Sequence, residues 1–306
     1  MPTQDIGQLH TEQRNPATIG IGALNTEEIL ARINDEDQKV AGKVREALPD
    51  IARAVDLIEE RMRLGGRLVY VGAGTSGRLG YMDAAECRPT FGLESDAVAC
   101  VMAGGHDAVF SARESLEDRV DCAAEDLKAW GLRPQDVVVA AAASGRTPYC
   151  IGALDFARSI GAGAVCIACN PHSEMGRHAQ VAIEVDTGSE VIMGSTRMKA
   201  GTAQKMIMNM LTTAVMIRLG RTCDNLMICL HAKNEKLDNR AMRLFAEATG
   251  ETDPTRMRET ITQAGGRLDV AILMYKSGKS REQAEAAMAS RGDFRQALLN
   301  LTGVPG

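Results

Sequence analysis

The stretch Val69-Tyr70-Val71-Gly72-Ala73-Gly74-Thr75-Ser76-Gly77-Arg78 constrains this chain more than any other. An apolar strand runs into a glycine-rich turn, and the turn opens a helix. Glycine lets the backbone turn tightly and approach a ligand closely. The first helical turn offers N–H groups without intrahelical partners and the positive end of the dipole. Together these make an anion site, most naturally one for phosphate. A second segment repeats the plan. Asp136 to Ala140 reads as a buried strand, and it enters Ala143-Ser144-Gly145-Arg146-Thr147-Pro148, with Pro148 suited to a first helical position. Two such turns on neighbouring strands would grip one phosphate from two sides. The alternative is that their serines and threonines are helix caps and nothing more.

Two known phosphate fingerprints fail. Gly72-x-Gly74-x-x-Gly77 has the dinucleotide spacing, but that motif wants an acid ending the second strand to hold a ribose. The second strand, Ala97 to Met102, ends in Ala103-Gly104-Gly105, and Glu94 and Asp96 precede it. A dehydrogenase is disfavoured accordingly. No Gly-Lys-Ser/Thr follows the first turn, so it is not a Walker loop.

Around these turns the chain alternates. Apolar runs predict strands at 67–72, 97–103, 136–141, 163–169 and 180–184, with helices at 77–88, about 108–129 and 148–160. Such alternation predicts an α/β fold, a doubly wound parallel five-stranded sheet covered on both faces. Its ligands bind beyond the carboxyl ends of the strands, where both glycine turns fall. Three divisions follow: an extended, partly disordered arm at 1–24, an α/β domain at 25–249 and a small helical domain at 250–306. Asn25-Thr26-Glu27-Glu28 supplies a cap and an acidic first turn for a short helix, and helical periodicity continues at about 37–47 and 49–64. Glu190 to Arg197 reads as a loop before a long helix at about 199–219. The methionines of that helix, Met206, Met208, Met210 and Met216, suit a packed core or a subunit interface. Another helix is expected at 234–249, a linker at 250–254, and three short helices after it.

Composition excludes several partners. The 306 residues carry a net charge of −5 with no basic tract, which argues against nucleic acid and anionic membranes. Aromatic residues make up only 3%, so stacking platforms are scarce. No apolar run reaches the roughly 18 residues of a membrane span. The polar N-terminus lacks a signal-peptide core, and the eight cysteines lie mostly in apolar segments, so a cytoplasmic protein with reduced thiols is expected. Cys166-x-x-Cys169 has the look of a metal or redox pair, yet positions i and i+3 of a strand face opposite ways. Buried thiols are expected there, and no metal. His106 follows Gly104-Gly105 at a strand end and reads as a surface residue; His231 reads as structural.

Several segments resemble one family closely. They are Gly72 to Gly80 with Asp83-Ala84-Ala85-Glu86-Cys87, then Ala143-Ser144-Gly145-Arg146-Thr147-Pro148-Tyr149, then Gly194-Ser195-Thr196-Arg197-Met198-Lys199-Ala200-Gly201-Thr202-Ala203-Gln204-Lys205. Asn225-Leu226-Met227 and Asn234-Glu235-Lys236-Leu237 also fit. Over roughly residues 5 to 300 the chain resembles the bacterial N-acetylmuramic acid 6-phosphate etherases. It is also similar to glucokinase regulatory protein, a non-catalytic relative with the same sugar isomerase (SIS) fold. The resemblance implies a doubly wound SIS domain, a small helical domain like the ubiquitin-associated fold, a homodimer and no cofactor. The implied reaction cleaves the lactyl ether at C3 of the sugar phosphate, giving N-acetylglucosamine 6-phosphate and D-lactate, a step in recycling of cell-wall sugars.

That reaction needs a base at C2 and an acid at the ether oxygen, which two carboxylates in different environments can supply. The resemblance places them at Glu86, the acid, and Glu117, the base, the latter early in the helix expected at 108–129. Without the resemblance Glu114 and Glu117 are indistinguishable. For phosphate and sugar the expected residues are Ser76, Ser144 and Thr147, with Thr75, Arg146 and the amides of Gly77 and Gly145 in support, and Ser195 and Thr196 along the sugar. Arg78 is either a phosphate ligand or a solvent-facing cation. Glu190 either binds the sugar or caps a helix. Two other functions stay open: an aldose–ketose isomerase that shuttles a proton with Glu190, and a non-catalytic sugar-phosphate sensor.

Overall fold

The computed structural model describes residues 6–93, 96–111, 117–230, 235–291 and 293–303. Five strands form one parallel sheet: β1 (Leu68–Gly72), β2 (Val98–Met102), β3 (Val137–Ala142), β4 (Gly163–Ala168) and β5 (Val181–Glu184), in the order β2-β1-β3-β4-β5. The expected strands are all present, with ends differing by about a residue. They are legible because strands covered on both faces are near-continuous apolar runs: every residue of β1, β3 and β4 is buried. Helices cover both faces. Val69 and Val71 pack in a core with α4 (Val120–Trp130) and α5 (Pro148–Ser159). Tyr70, pointing the other way, lies under α3 (Gly74–Phe91), where a methyl at Gly80 would sit 2.8 Å from its Cβ.

The strand order reverses between β1 and β3. That gap is the switch point at which ligands of such sheets bind, and the two glycine turns are the carboxyl-end exits of these two strands.

Two long helices precede the sheet, α1 (Thr26–Glu46) and α2 (Leu48–Arg63). The expected cap is a full capping box: Asn25 Oδ1 accepts from the Glu28 amide, and the Glu28 carboxylate accepts from the Asn25 amide, each at 3.0 Å. The helix it starts runs unbroken to Glu46 and is not short. Residues 6–24 are not the loose arm expected. They form four single-turn 3-10 helices fastened to the α/β unit. The Asn170 side chain donates to Thr11 Oγ1 and to the carbonyl of Ala143, while Thr18 Oγ1 donates to the carbonyl of Val191.

The helix expected over 108–129 is also corrected. A 3-10 turn occupies His106–Val109, and α4 begins only at Val120. Arg78 is one reason: its Nε and Nη2 donate to the carbonyls of Val109 and Ala108 at 2.9 and 3.0 Å. The guanidinium therefore fixes this turn and is not aimed at phosphate.

By packing, the chain divides into residues 1–85 with 95–212, and residues 86–94 with 213–306. The second unit holds a small hairpin, β6 (Thr222–Cys223) with β7 (Leu226–Met227), and five helices: α8 (Glu235–Thr249), α9 (Pro254–Gln263), α10 (Leu268–Ser277), α11 (Arg281–Arg291) and α12 (Phe294–Thr302). Phe245, Leu268, Ile272 and Phe294 lie at its core. Residues 213–249, joined to the α/β domain in the sequence-based division, pack here instead. Helix α7 (Lys199–Arg218) runs without a break through the boundary after Thr212, so no Gly/Pro linker marks it. A five-residue helix, α6 (Glu174–His178), completes the α/β unit.

Candidate active site

The first glycine turn is held by close packing. A methyl on Gly72 would lie 2.8 Å from the Gly77 nitrogen, and one on Gly77 would lie 2.7 Å from Met102 Cγ. The Gly77 amide donates to the carbonyl of Ala73, and the Gly145 amide to the carbonyl of Ala142. Both amides expected to support the phosphate are thus engaged in the backbone, and these glycines act by letting elements approach. Gly74, Thr75 and Ser76 are the residues of α3 whose amides lack intrahelical partners. Ser76 is buried, and among the described residues its hydroxyl has no hydrogen-bond partner. A hydroxyl so placed at a helix start is poised for a ligand.

The second turn is tighter. Gly145 has φ +68°, and a methyl there would lie 2.5 Å from Ser173 Cβ and 2.9 Å from Ala168 Cβ. Its carbonyl accepts from the Met175 amide at the start of α6. Ser144 Oγ accepts from the Arg146 amide at 3.3 Å, which orders the half-buried turn. Thr147 is the N-cap residue of α5, yet its side chain makes no capping bond. Its hydroxyl is therefore not explained as a cap.

Glu117 ties the two turns together. Its carbonyl accepts from the Tyr149 amide in the first turn of α5 at 3.1 Å. Its carboxylate lies beside the other turn, with Oε1 3.4 Å from where a methyl on Gly74 would be. Burial and then the Glu117 charge push the Cys150 thiol up, consistent with that closeness. Glu117 precedes α4 in a turn and is not in a helix as expected. Glu114 lies outside the described residues, as does His231.

Helix α7 adds a third wall. Thr75 Cγ2 and the Thr196 carbonyl lie 3.6 and 3.8 Å from a methyl placed on Gly201. Ser195 and Thr196 are half-buried just before this helix. Glu190 does not face a ligand. It is fully buried, and its two oxygens accept from the amides of Lys199 and Ala200 at 2.9 and 3.0 Å. The capping alternative holds for this residue because a buried carboxylate needs hydrogen-bond donors, and the first amides of α7 supply two.

Glu86 lies twelve residues beyond Gly74 on α3, exposed, in the second unit. It lines a cavity of about 650 Å³. His106 is exposed, packed between Tyr81 and the exposed Phe110. Cys166 and Cys169 are both fully buried, and burial raises each thiol to about 12. Among the described residues no cluster of three or more His, Cys, Asp or Glu could hold a metal, and no helix is long and apolar enough to cross a membrane.

Two positioning groups escaped the sequence. Asp83, buried on α3, accepts from Tyr70 Oη at 2.8 Å and from the side chains of Asn209 and Thr212 on α7. The Lys199 ammonium donates to Glu36 at 2.7 Å, with both side chains only 4% exposed. An aspartate mid-helix was a signal for the first. Nothing local marks the second, whose partners are 163 residues apart.

A doubly wound sheet with paired serine–glycine turns at its switch point defines an SIS-type α/β protein. Residues 50–158 match the glucokinase regulatory protein N-terminal SIS domain, and residues 128–214 match the SIS domain. A phosphoheptose isomerase from Francisella tularensis has the same fold, with a TM-score of 0.50 and 14% identity over 63% of this chain and 98% of that one. The chain belongs to the N-acetylmuramic acid 6-phosphate etherase family. It is 48% identical to N-acetylmuramic acid 6-phosphate etherase 2 of Vibrio parahaemolyticus over 97% of this chain and 98% of that protein. It is likewise 48% identical to the etherase of Mycolicibacterium smegmatis, over 96% and 99%.

Proposed function

We propose that this protein cleaves the D-lactyl ether at C3 of N-acetylmuramic acid 6-phosphate, as a carbon–oxygen lyase acting by elimination followed by hydration. One observation carries this: near-half identity to named etherases along the whole of both chains. Ser76, Ser144 and Thr147 hold the phosphate with the first amides of α3, assisted by Thr75 and Arg146, while Ser195 and Thr196 border the sugar. In the open-chain sugar the C1 aldehyde acidifies the C2 proton. Glu117 takes that proton, Glu86 gives one to the ether oxygen, and the C3–O bond breaks to leave D-lactate and an unsaturated aldehyde. Water then adds, its hydroxyl to C3 and a proton back to C2, giving N-acetylglucosamine 6-phosphate. Each acid–base contribution is worth about 10²–10⁴-fold. The capping bonds to Glu190 count against the base that an isomerase reading required.

A cytoplasmic homodimer belongs to this proposal. Gly74 and Glu86 are twelve residues apart on one helix. Glu117 has its carboxylate beside Gly74. The C2 carbon and the ether oxygen are only two bonds apart, so Glu117 of one copy works with Glu86 of the other. Incubating the protein with the substrate in heavy water tests the chemistry. Release of D-lactate with one deuterium kept at C2 supports it. Exchange at C2 without release would favour an isomerase, and binding with neither would favour a sensor.

A further inference from the structure

Two arginines line the same cavity as Glu86. In the C-terminal unit a cavity of about 650 Å³ is bordered by Glu86, Arg88 and Pro89 of α3, by Leu93 and Leu230, and by Arg240 of α8. Among the described residues neither guanidinium has an ion-pair or hydrogen-bond partner, and both are exposed. The cavity thus joins a carboxyl group, an apolar wall and uncompensated positive charge. That set fits a small ligand with one methyl and one carboxylate.

The geometry points to this cavity as the subsite for the lactyl group, with Arg240 holding its carboxylate. The inference rests on the acid role proposed for Glu86. An acid that protonates the ether oxygen must reach it within a hydrogen bond, and the lactyl carbon is bonded to that same oxygen. Its methyl and carboxylate therefore fall inside the cavity that Glu86 borders. A carboxylate there needs a cation, and arginine offers the planar fork that matches it with two N–H bonds. Arg88 is two residues from Glu86 on one helix and borders the same cavity. Arg240 comes from a separate helix and approaches the cavity from its own wall. The methyl then rests on Pro89, Leu93 and Leu230. Three contacts of different kind around one stereocentre distinguish the D-lactyl ether from its L epimer, because exchanging any two substituents sets the methyl against Arg240 or the carboxylate against the apolar wall. Only binding is involved, and no bond beyond those of the etherase reaction forms or breaks.

The test compares N-acetylmuramic acid 6-phosphate with its carboxamide analogue, in which the lactyl carboxylate is neutral, in the wild-type chain and in Arg240→Ala and Arg240→Lys. For the acid, Arg240→Ala should lower kcat/KM by roughly 10- to 100-fold, the span of one charge-assisted hydrogen bond, and Arg240→Lys should recover part of it. For the analogue, wild type and Arg240→Ala should agree within about twofold, since the charge pair is absent from both. Equal losses on the two substrates, or no loss on the acid, would overturn the subsite. Wild-type protein that releases no D-lactate from the acid would instead sink the etherase assignment itself, and it is read before any variant is made.

Discussion

Ser76 and Gly145 belong to the proposed site in opposite ways, and substitution separates them. The Ser76 hydroxyl has no protein partner among the described residues, so Ser76→Ala should leave the thermal midpoint almost unchanged while raising KM. A lost bond to a charged phosphate is worth about 1.5–3 kcal/mol, which predicts a rise of roughly tenfold or more. A fall in stability without a change in KM would make Ser76 structural. Gly145→Ala should act through the backbone. Its φ of +68° disfavours any L side chain, and the added methyl would overlap Ser173 and Ala168. Overpacking of this kind costs about 1–3 kcal/mol, so denaturant unfolding should show the loss, and activity should fall as Ser144 and Thr147 move with the turn. At this scale the sequence carried the residue types and their turns, because strand, glycine and hydroxyl are adjacent in the chain. It did not carry the partners. Glu190 read equally well as ligand or cap, and only its burial against the Lys199 and Ala200 amides separates the two.

Helix α7 enters the site on a buried ion pair, and its consequences belong to the element. Glu190 caps its first amides, and Lys199 reaches Glu36 on α1. Burial alone would raise the Glu36 carboxyl, but bonds from Lys199, Lys39 and Asn15 outweigh burial and hold it at about 2. A carboxyl depressed on folding contributes stability above its ordinary value of 4.5 and loses it as pH falls towards 2. Acid unfolding should therefore steepen across that interval. Lys199→Met leaves Glu36 buried with its main partner gone, a change that costs about 3–5 kcal/mol. Replacing both, Glu36→Leu with Lys199→Met, should recover much of the loss and flatten the acid dependence. Urea titrations between pH 2.5 and 6 check this, and a Lys199→Met variant as stable as wild type would refute it. The strands were legible because burial on both faces writes itself as uninterrupted Val, Ala and Ile. The turn at His106–Val109 was not, because its carbonyls are held by Arg78, reaching back from another helix.

At the scale of the molecule, a parallel five-stranded sheet followed from alternation, while its strand order came only with the structure and the division into units was hidden because α3 and α7 both cross it as continuous helices. The helix α3 crossing has a functional consequence. It begins at the first glycine turn and carries Glu86 twelve residues on, while the Glu117 carbonyl accepts from the Tyr149 amide at the second turn. In a dimer with two-fold symmetry each site would take Glu117 from one copy and Glu86 from its neighbour, and both sites would be alike. Glu86→Ala and Glu117→Ala should each be inactive when pure. Glu86→Ala should still exchange the C2 proton, because the base is intact, whereas Glu117→Ala should not. Dissociated, mixed and reassembled, the two variants should regain activity. Random pairing makes half of the dimers mixed, and each mixed dimer has one site with both glutamates, so recovery should approach about a quarter of wild type. A mixture that reassembles into dimers yet stays inactive would mean that each copy supplies both carboxylates to its own site, and the shared site would be refuted.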